Sequence, residues 1–152
     1  MLLFMPGWCA SRRVFDELAR RCATRRRALA PDWRGHGQSA RPADDFGASD
    51  LPDDALAVIE ASQADLVVPV ALSHAGWVAI ELRRRLGARI PKLVLLDWTV
   101  LDLPPFLGAL RSLQDPARWQ QTRDQLLSMW LHGLDIPALT HYCMPSQKTR
   151  DT

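Results

Sequence analysis

Ser73 stands at a junction where chemistry is possible. In "VPVALSHAGWVAIEL", Val68 to Leu82, an apolar run stops at Ser73 and a helical pattern begins at once. A serine on a sharp turn between strand and helix is held in a strained backbone conformation, so its neighbours two positions away must be small. Ala71 and Ala75 meet that need, and Gly76 lets the helix pack closely. The N-terminus of such a helix favours developing negative charge. The backbone N–H of His74 would supply one oxyanion donor. Asp97 ends the apolar run "KLVLLD" (92–97). Two plainer uses stand beside these: Ser73 as a helix N-cap and Asp97 as a strand-end residue capping a turn.

These residues need elements to carry them. "LLFM" (2–5), "RALAPDW" (27–33), "DLVVPVAL" (65–72) and "KLVLLD" (92–97) read as strands. Pro69 conflicts with a central ladder, which predicts a bulge or a gap in pairing there. The fourth strand, nearly all apolar, is expected to be buried on both faces. Between the strands lie three helical patterns. The first runs from Ser11, with Val14, Phe15, Leu18, Ala19 and Cys22 on one face. The second is capped by Asp50, with Pro52 in its first turn and Leu56, Val58 and Ile59 on its apolar face. The third spans Gly76 to Leu86 and is closed by Gly87. This alternation predicts the α/β class, with a doubly wound parallel sheet. A site in such a sheet opens where strand order reverses, here between the first and third strands. Trp8 of "PGWC" would then face Ser73 and present its N–H as the second oxyanion donor. After Leu103 only helical patterns remain, "PPFLGALRSLQ" and "PARWQQTRDQLLSMWLHG", which read as cap helices. The resulting division is a partial core over 1–102, cap helices over 103–142 and a disordered tail over 143–152.

Composition narrows the class. The chain has 152 residues, 47% hydrophobic and 24% charged, with a net charge of +2, as in ordinary globular proteins. The arginine clusters at 20–27 and 83–85 come without a nucleic-acid recognition motif and read as solvated faces. No apolar run reaches the length of a membrane span, and no signal-peptide pattern is present, so a cytoplasmic protein is expected. Cys9, Cys22 and Cys143 lack metal-site spacing and are odd in number, which argues against zinc and against a disulfide framework. Six tryptophans suit a core or a site for a flat aromatic ligand.

The strand with "PGW", then "DWRGHGQS" at 32–39, then the serine turn, together resemble the α/β-hydrolase superfamily. "PGWC", "SHAGW", "LLDW" and "MWLHG" are similar to one branch of it, the cofactor-independent 2,4-dioxygenases of 3-hydroxy-4-quinolones and quinaldines. The resemblance implies a small aromatic substrate opened by O2 with release of carbon monoxide, and neither cofactor nor metal. It implies that Trp8 and His74 form the oxyanion site and that Ser73 hydrogen-bonds the substrate. It also implies that Asp97 orients a catalytic histidine and that Trp130 lines the pocket. The acid one strand after the serine favours this branch over most hydrolases of the superfamily. A histidine would take the proton from the substrate's 3-hydroxyl, leaving an anion electron-rich enough to react with O2.

Two departures accompany the resemblance. Leu72 stands where the dioxygenases carry histidine, which removes a polar contact to the substrate. The base is expected in a loop beyond the cap, and His36, His74, His132 and His141 do not match that position. These features, with a first strand that begins at Met1, lead to the expectation of a fragment from a broken or misread reading frame, with "KLVLLD" left as an uncovered edge. The alternatives are a serine ester or amide hydrolase with Ser73 as nucleophile, and a non-catalytic remnant lacking the base.

Overall fold

The computed structural model describes residues 1–7, 10–98, 112 and 115–131; for Leu127, Trp130 and Leu131 it describes the backbone alone. The described residues fall into two compact units, one over 1–98 and the other within 99–143. The tail expected at 143–152 and nearly all of the first cap helix lie outside the described residues.

Within the first unit, four strands form one parallel sheet in the order β2-β1-β3-β4. They are β1 (Leu2–Met5), β2 (Ala28–Leu29), β3 (Val68–Leu72) and β4 (Val94–Leu96). Three α-helices alternate with them: α1 (Asp16–Ala23), α2 (Leu51–Ser62) and α3 (Ala75–Leu86). Side chains of a strand alternate between faces. Leu3 and Met5 accordingly join a core with Ile59 of α2 and Val78 and Leu82 of α3. Phe4 and Val70 turn to the other face and meet Phe15 at the start of α1, the two phenylalanine rings 5.2 Å apart. Apolar packing on both faces is the doubly wound arrangement expected from the sequence.

Pro69 shows how the sheet accommodates a residue without an N–H. The β1–β3 register is continuous through Leu3↔Pro69, so there is no bulge on that side. On the other side, Val67 N–H donates to the Arg89 carbonyl at 2.8 Å, and pairing with β4 starts only at Val70↔Val94. Backbone donors alternate sides along a strand. Pro69 therefore turns its missing donor into the unpaired step between Arg89 and Val94. The expected gap in pairing is there.

Other expectations need correction. The second strand is two residues long, not seven. Pro31 cannot extend the ladder, and Asp32 uses its carboxylate to close a loop instead. The first helix opens with a 3-10 turn, Arg12–Phe15, and leaves Leu18 43% exposed. Asp50 does not cap α2 with its side chain; its Oδ2 accepts the Gly47 N–H at 2.7 Å and closes the preceding turn. β4 is not buried on both faces: among the described residues it pairs only with β3, and Val94 is 40% exposed.

The second unit contains α4 (Trp119–Leu131), within the second cap-helix pattern. Asp115 prepares its start, with Oδ1 accepting the Ala117 N–H at 2.9 Å and its carbonyl accepting the Trp119 N–H at 2.9 Å.

Candidate active site

β3 ends at Leu72 and α3 begins at Ala75, which leaves two residues to reverse the chain. Ser73 absorbs the turn with φ +51°, a left-handed conformation that costs a non-glycine residue about 1 kcal/mol or more. Two backbone bonds hold it there. Its N–H donates to the Leu96 carbonyl of β4 at 2.8 Å, and its carbonyl accepts the Gly76 N–H at 2.9 Å. Ala71 and Ala75 are fully buried, in keeping with the need for small residues on either side. α3 has no side-chain cap hydrogen bond at its N-terminus, so the N-cap use of Ser73 is not realised.

Asp97 occupies the matching position on the next strand. Leu72 pairs with Leu96, so Ser73 and Asp97 each follow the last paired residue of adjacent strands. Asp97 has φ +50° and is exposed. Two strained residues thus sit side by side at the C-terminal edge of a parallel sheet, where ligands bind in this architecture.

The Pro6–Gly7 turn closes on the same edge from β1. A Cβ on Gly7 would lie 3.3 Å from the Leu72 carbonyl oxygen and 3.4 Å from the Ser73 Cβ, so the absence of a side chain permits the approach. On the other side, a Cβ at Gly76 would overlap the Trp98 ring. Trp98 is further held edge-on by Trp77, ring centroids 4.7 Å apart at 73°.

His74 follows the serine and stands at the N-cap of α3. Its Nδ1 and the Nε1 of Trp98 are buried without a partner among the described residues. Burial, and then the charge of His36, push the His74 pKa down to about 4. His74 is therefore neutral at pH 7, and it brings no cation to the site. The depressed value also predicts acid sensitivity. Unfolded, His74 returns to about 6.5, so the unfolded chain binds the extra proton first. His74's contribution is fully present above pH 6.5 and is lost as pH falls toward about 4. At pH 5 this amounts to about 2 kcal/mol. Urea unfolding at pH 7 and pH 5 should show that loss in the wild type and a smaller one in His74→Gln; equal losses would contradict it.

The loop at 32–39 carries residues that sequence reasoning assigned to packing or to a strand end. The Asp32 side chain is 3% exposed. Its Oδ1 accepts the Arg12 N–H at 2.6 Å and its Oδ2 the Gln38 N–H at 2.9 Å, while its carbonyl accepts the Ser39 hydroxyl at 2.7 Å. Gly37, at φ +50°, passes so close that a Cβ there would overlap the carboxylate. Trp33 is buried and donates from Nε1 to the Pro6 carbonyl at 2.8 Å. Arg34 forks onto Asp54 of α2 with bonds of 2.8 and 2.6 Å. His36 Nδ1 lies 3.1 Å from the Arg34 carbonyl. The readable signal for this cluster is a carboxylate followed by two closely spaced glycines, the pattern of a tight loop wrapped around an acceptor.

The structure thus brings together Ser73, His74 and Asp97. Trp8 lies outside the described residues, and Trp130 lies on α4 with its side chain outside them. Among the described residues, no group of three or more His, Cys, Asp or Glu side chains is placed to hold a metal ion. None of the described helices is long and apolar enough to cross a membrane.

A parallel sheet whose strand turns through a strained serine into a helix defines the class: the chain belongs to the α/β-hydrolase family, whose profile matches residues 2–146. Within that family it is 36% identical over 131 residues to the 2-heptyl-3-hydroxy-4(1H)-quinolone dioxygenase of Mycobacteroides abscessus, covering 85% of this chain and 49% of that protein. It is 33% identical over 135 residues to the 1H-3-hydroxy-4-oxoquinoline 2,4-dioxygenase of Pseudomonas putida, covering 88% of this chain and 51% of that protein. Among solved structures, an AqdC variant in complex with its substrate matches with a TM-score of 0.82 at 35% identity. That match, to a protein that recognises and cleaves the ring of the Pseudomonas quinolone signal, covers 91% of this chain and 53% of the other. The chain spans about half the length of these relatives.

Proposed function

We propose that this chain carries the oxyanion and substrate-positioning part of a cofactor-independent dioxygenase that opens a 3-hydroxy-4-quinolone ring with O2 and releases carbon monoxide. The observation that carries the proposal is the placement of Ser73 and Asp97, each at a left-handed φ, directly after the last paired residues of adjacent strands. The dioxygenase relatives support the substrate class.

In this reading the Ser73 hydroxyl hydrogen-bonds an oxygen of the bound ring. The N–H groups of His74 and Trp8 face the charge that appears when the 3-hydroxyl is deprotonated. Asp97 orients the histidine that takes that proton. The two described histidines do not fit that role. His74 is too weak a base at about 4, and His36 turns Nδ1 toward the Arg34 carbonyl. A cytoplasmic setting, where a thiol such as Cys22 stays reduced, fits this reading.

A second reading, serine ester or amide hydrolysis, is favoured by the strained turn at Ser73 itself, which is the geometry of an activated nucleophile. One experiment separates the two. The protein is incubated with 2-heptyl-3-hydroxy-4-quinolone in air and under argon, and in parallel with a fluorophosphonate. Chromophore loss that requires O2 and yields carbon monoxide supports the dioxygenase. A covalent adduct on Ser73, with no O2-dependent loss, supports the hydrolase. Quenching of tryptophan fluorescence by the quinolone without turnover would mark a binding site that lacks its base.

A further inference from the structure

We propose that Trp33 is the positioning residue of the oxyanion loop: its indole N–H fixes the Pro6–Gly7 turn against Ser73. The inference rests on the oxyanion role given to that loop above, and it assigns a task to a residue outside the loop.

The turn has little of its own to hold it. Pro6 has no N–H, and Gly7 has no side chain to pack. Yet Gly7 lies so near Leu72 and Ser73 that a Cβ on it would meet them at 3.3 and 3.4 Å. The structure supplies two restraints. Trp33 Nε1 donates to the Pro6 carbonyl at 2.8 Å across a separation of 27 residues, in a buried setting. Ala10 N–H donates to the Gly7 carbonyl at 3.2 Å. A peptide group is planar, so holding the Pro6 oxygen also sets the direction of the Gly7 N–H on the other side of that peptide. The second oxyanion donor assigned from sequence, the Trp8 N–H, belongs to the next peptide, whose carbonyl is that of Gly7.

Trp33 can act as a fixed point because it is itself held. Its side chain is 2% exposed and packs in the core that also contains Met5 and Ala75, on either side of the site. Its carbonyl accepts the His36 N–H at 2.9 Å. Asp32 before it grips two backbone N–H groups, and Arg34 after it is forked onto α2. An indole N–H only donates, so this bond has one polarity and cannot be replaced by a phenyl ring.

The test is replacement of Trp33 by 3-benzothienylalanine, which keeps the bicyclic shape and removes the N–H, alongside Trp33→Phe. Two readouts are taken on 15N-labelled full chain. The first, without ligand, is the Gly7 amide resonance. In a variant whose far-UV circular dichroism and urea midpoint show that it is folded, the Gly7 resonance should move, because its peptide loses the hydrogen bond on the Pro6 oxygen. An unmoved Gly7 signal in a folded variant overturns the inference. The second is affinity for 2-heptyl-3-hydroxy-4-quinolone, followed separately for its neutral and anionic forms. Affinity for the anion should fall roughly tenfold while that for the neutral form holds. An equal fall for both forms would mean a merely structural role. If Gly7 moves but the wild type binds no quinolone, the positioning inference stands and the proposed function fails.

Discussion

Asp32→Ala is expected to destabilise the first unit by about 2 kcal/mol, because it removes two hydrogen bonds from backbone N–H groups to a charged acceptor. Those donors, on Arg12 and Gln38, come from opposite sides of the loop, so the carboxylate ties the 3-10 turn before α1 to the segment before α2. Asp32→Asn keeps one acceptor oxygen and should lose about half as much. Gly37→Ala should resemble the alanine variant, since it places a Cβ on the carboxylate at a left-handed φ. Urea unfolding at pH 7 measures all three. A loss below about 0.5 kcal/mol for Asp32→Ala, the range of ordinary surface changes, would mean that water replaces the carboxylate at no cost.

Gly7→Val should leave the chain folded and reduce its affinity for the hydroxyquinolone anion by about 100-fold, the scale of effect of a 1 Å misplacement at a reacting centre. Even a single Cβ at Gly7 would sit 3.3 Å from the Leu72 carbonyl oxygen, tighter than an ordinary contact, and valine adds two methyl groups to it. The loop must retreat from Ser73. Gly7→Ala is the graded control, with a smaller loss. Unchanged anion affinity in a folded Gly7→Val protein would separate this loop from the site.

The alternation of strand and helix was legible because each element carried its own period. The apolar strands β1 and β3, the small residues around Ser73 and the closing Gly87 are all local signals, and the sheet, the strained serine turn and the helix end follow from them. Even the proline conflict at Pro69 was resolved as a gap in pairing. What stayed hidden depends on contacts distant in sequence. Nothing near Trp33 marks it as a donor to Pro6, and Asp32 reads as the end of a strand until its partners at Arg12 and Gln38 are known. The length of β2 was misjudged for the same reason: a strand is as long as its partner allows, and β1 pairs with it only at Leu2 and Leu3. Burial of β4 was inferred from its apolar run, but burial belongs to neighbours, and only β3 pairs with it among the described residues.

The central claim is that the edge formed by Pro6–Gly7, Ser73 and Asp97 stabilises an anion rather than making a covalent bond. The most direct test is the absorption spectrum of 2-heptyl-3-hydroxy-4-quinolone mixed with the protein under argon, at a pH where the free compound is neutral. The account predicts the band of the deprotonated ring, saturating with protein and weakened in Ser73→Ala. A spectrum that stays neutral at saturation, together with a fluorophosphonate adduct on Ser73, would contradict it.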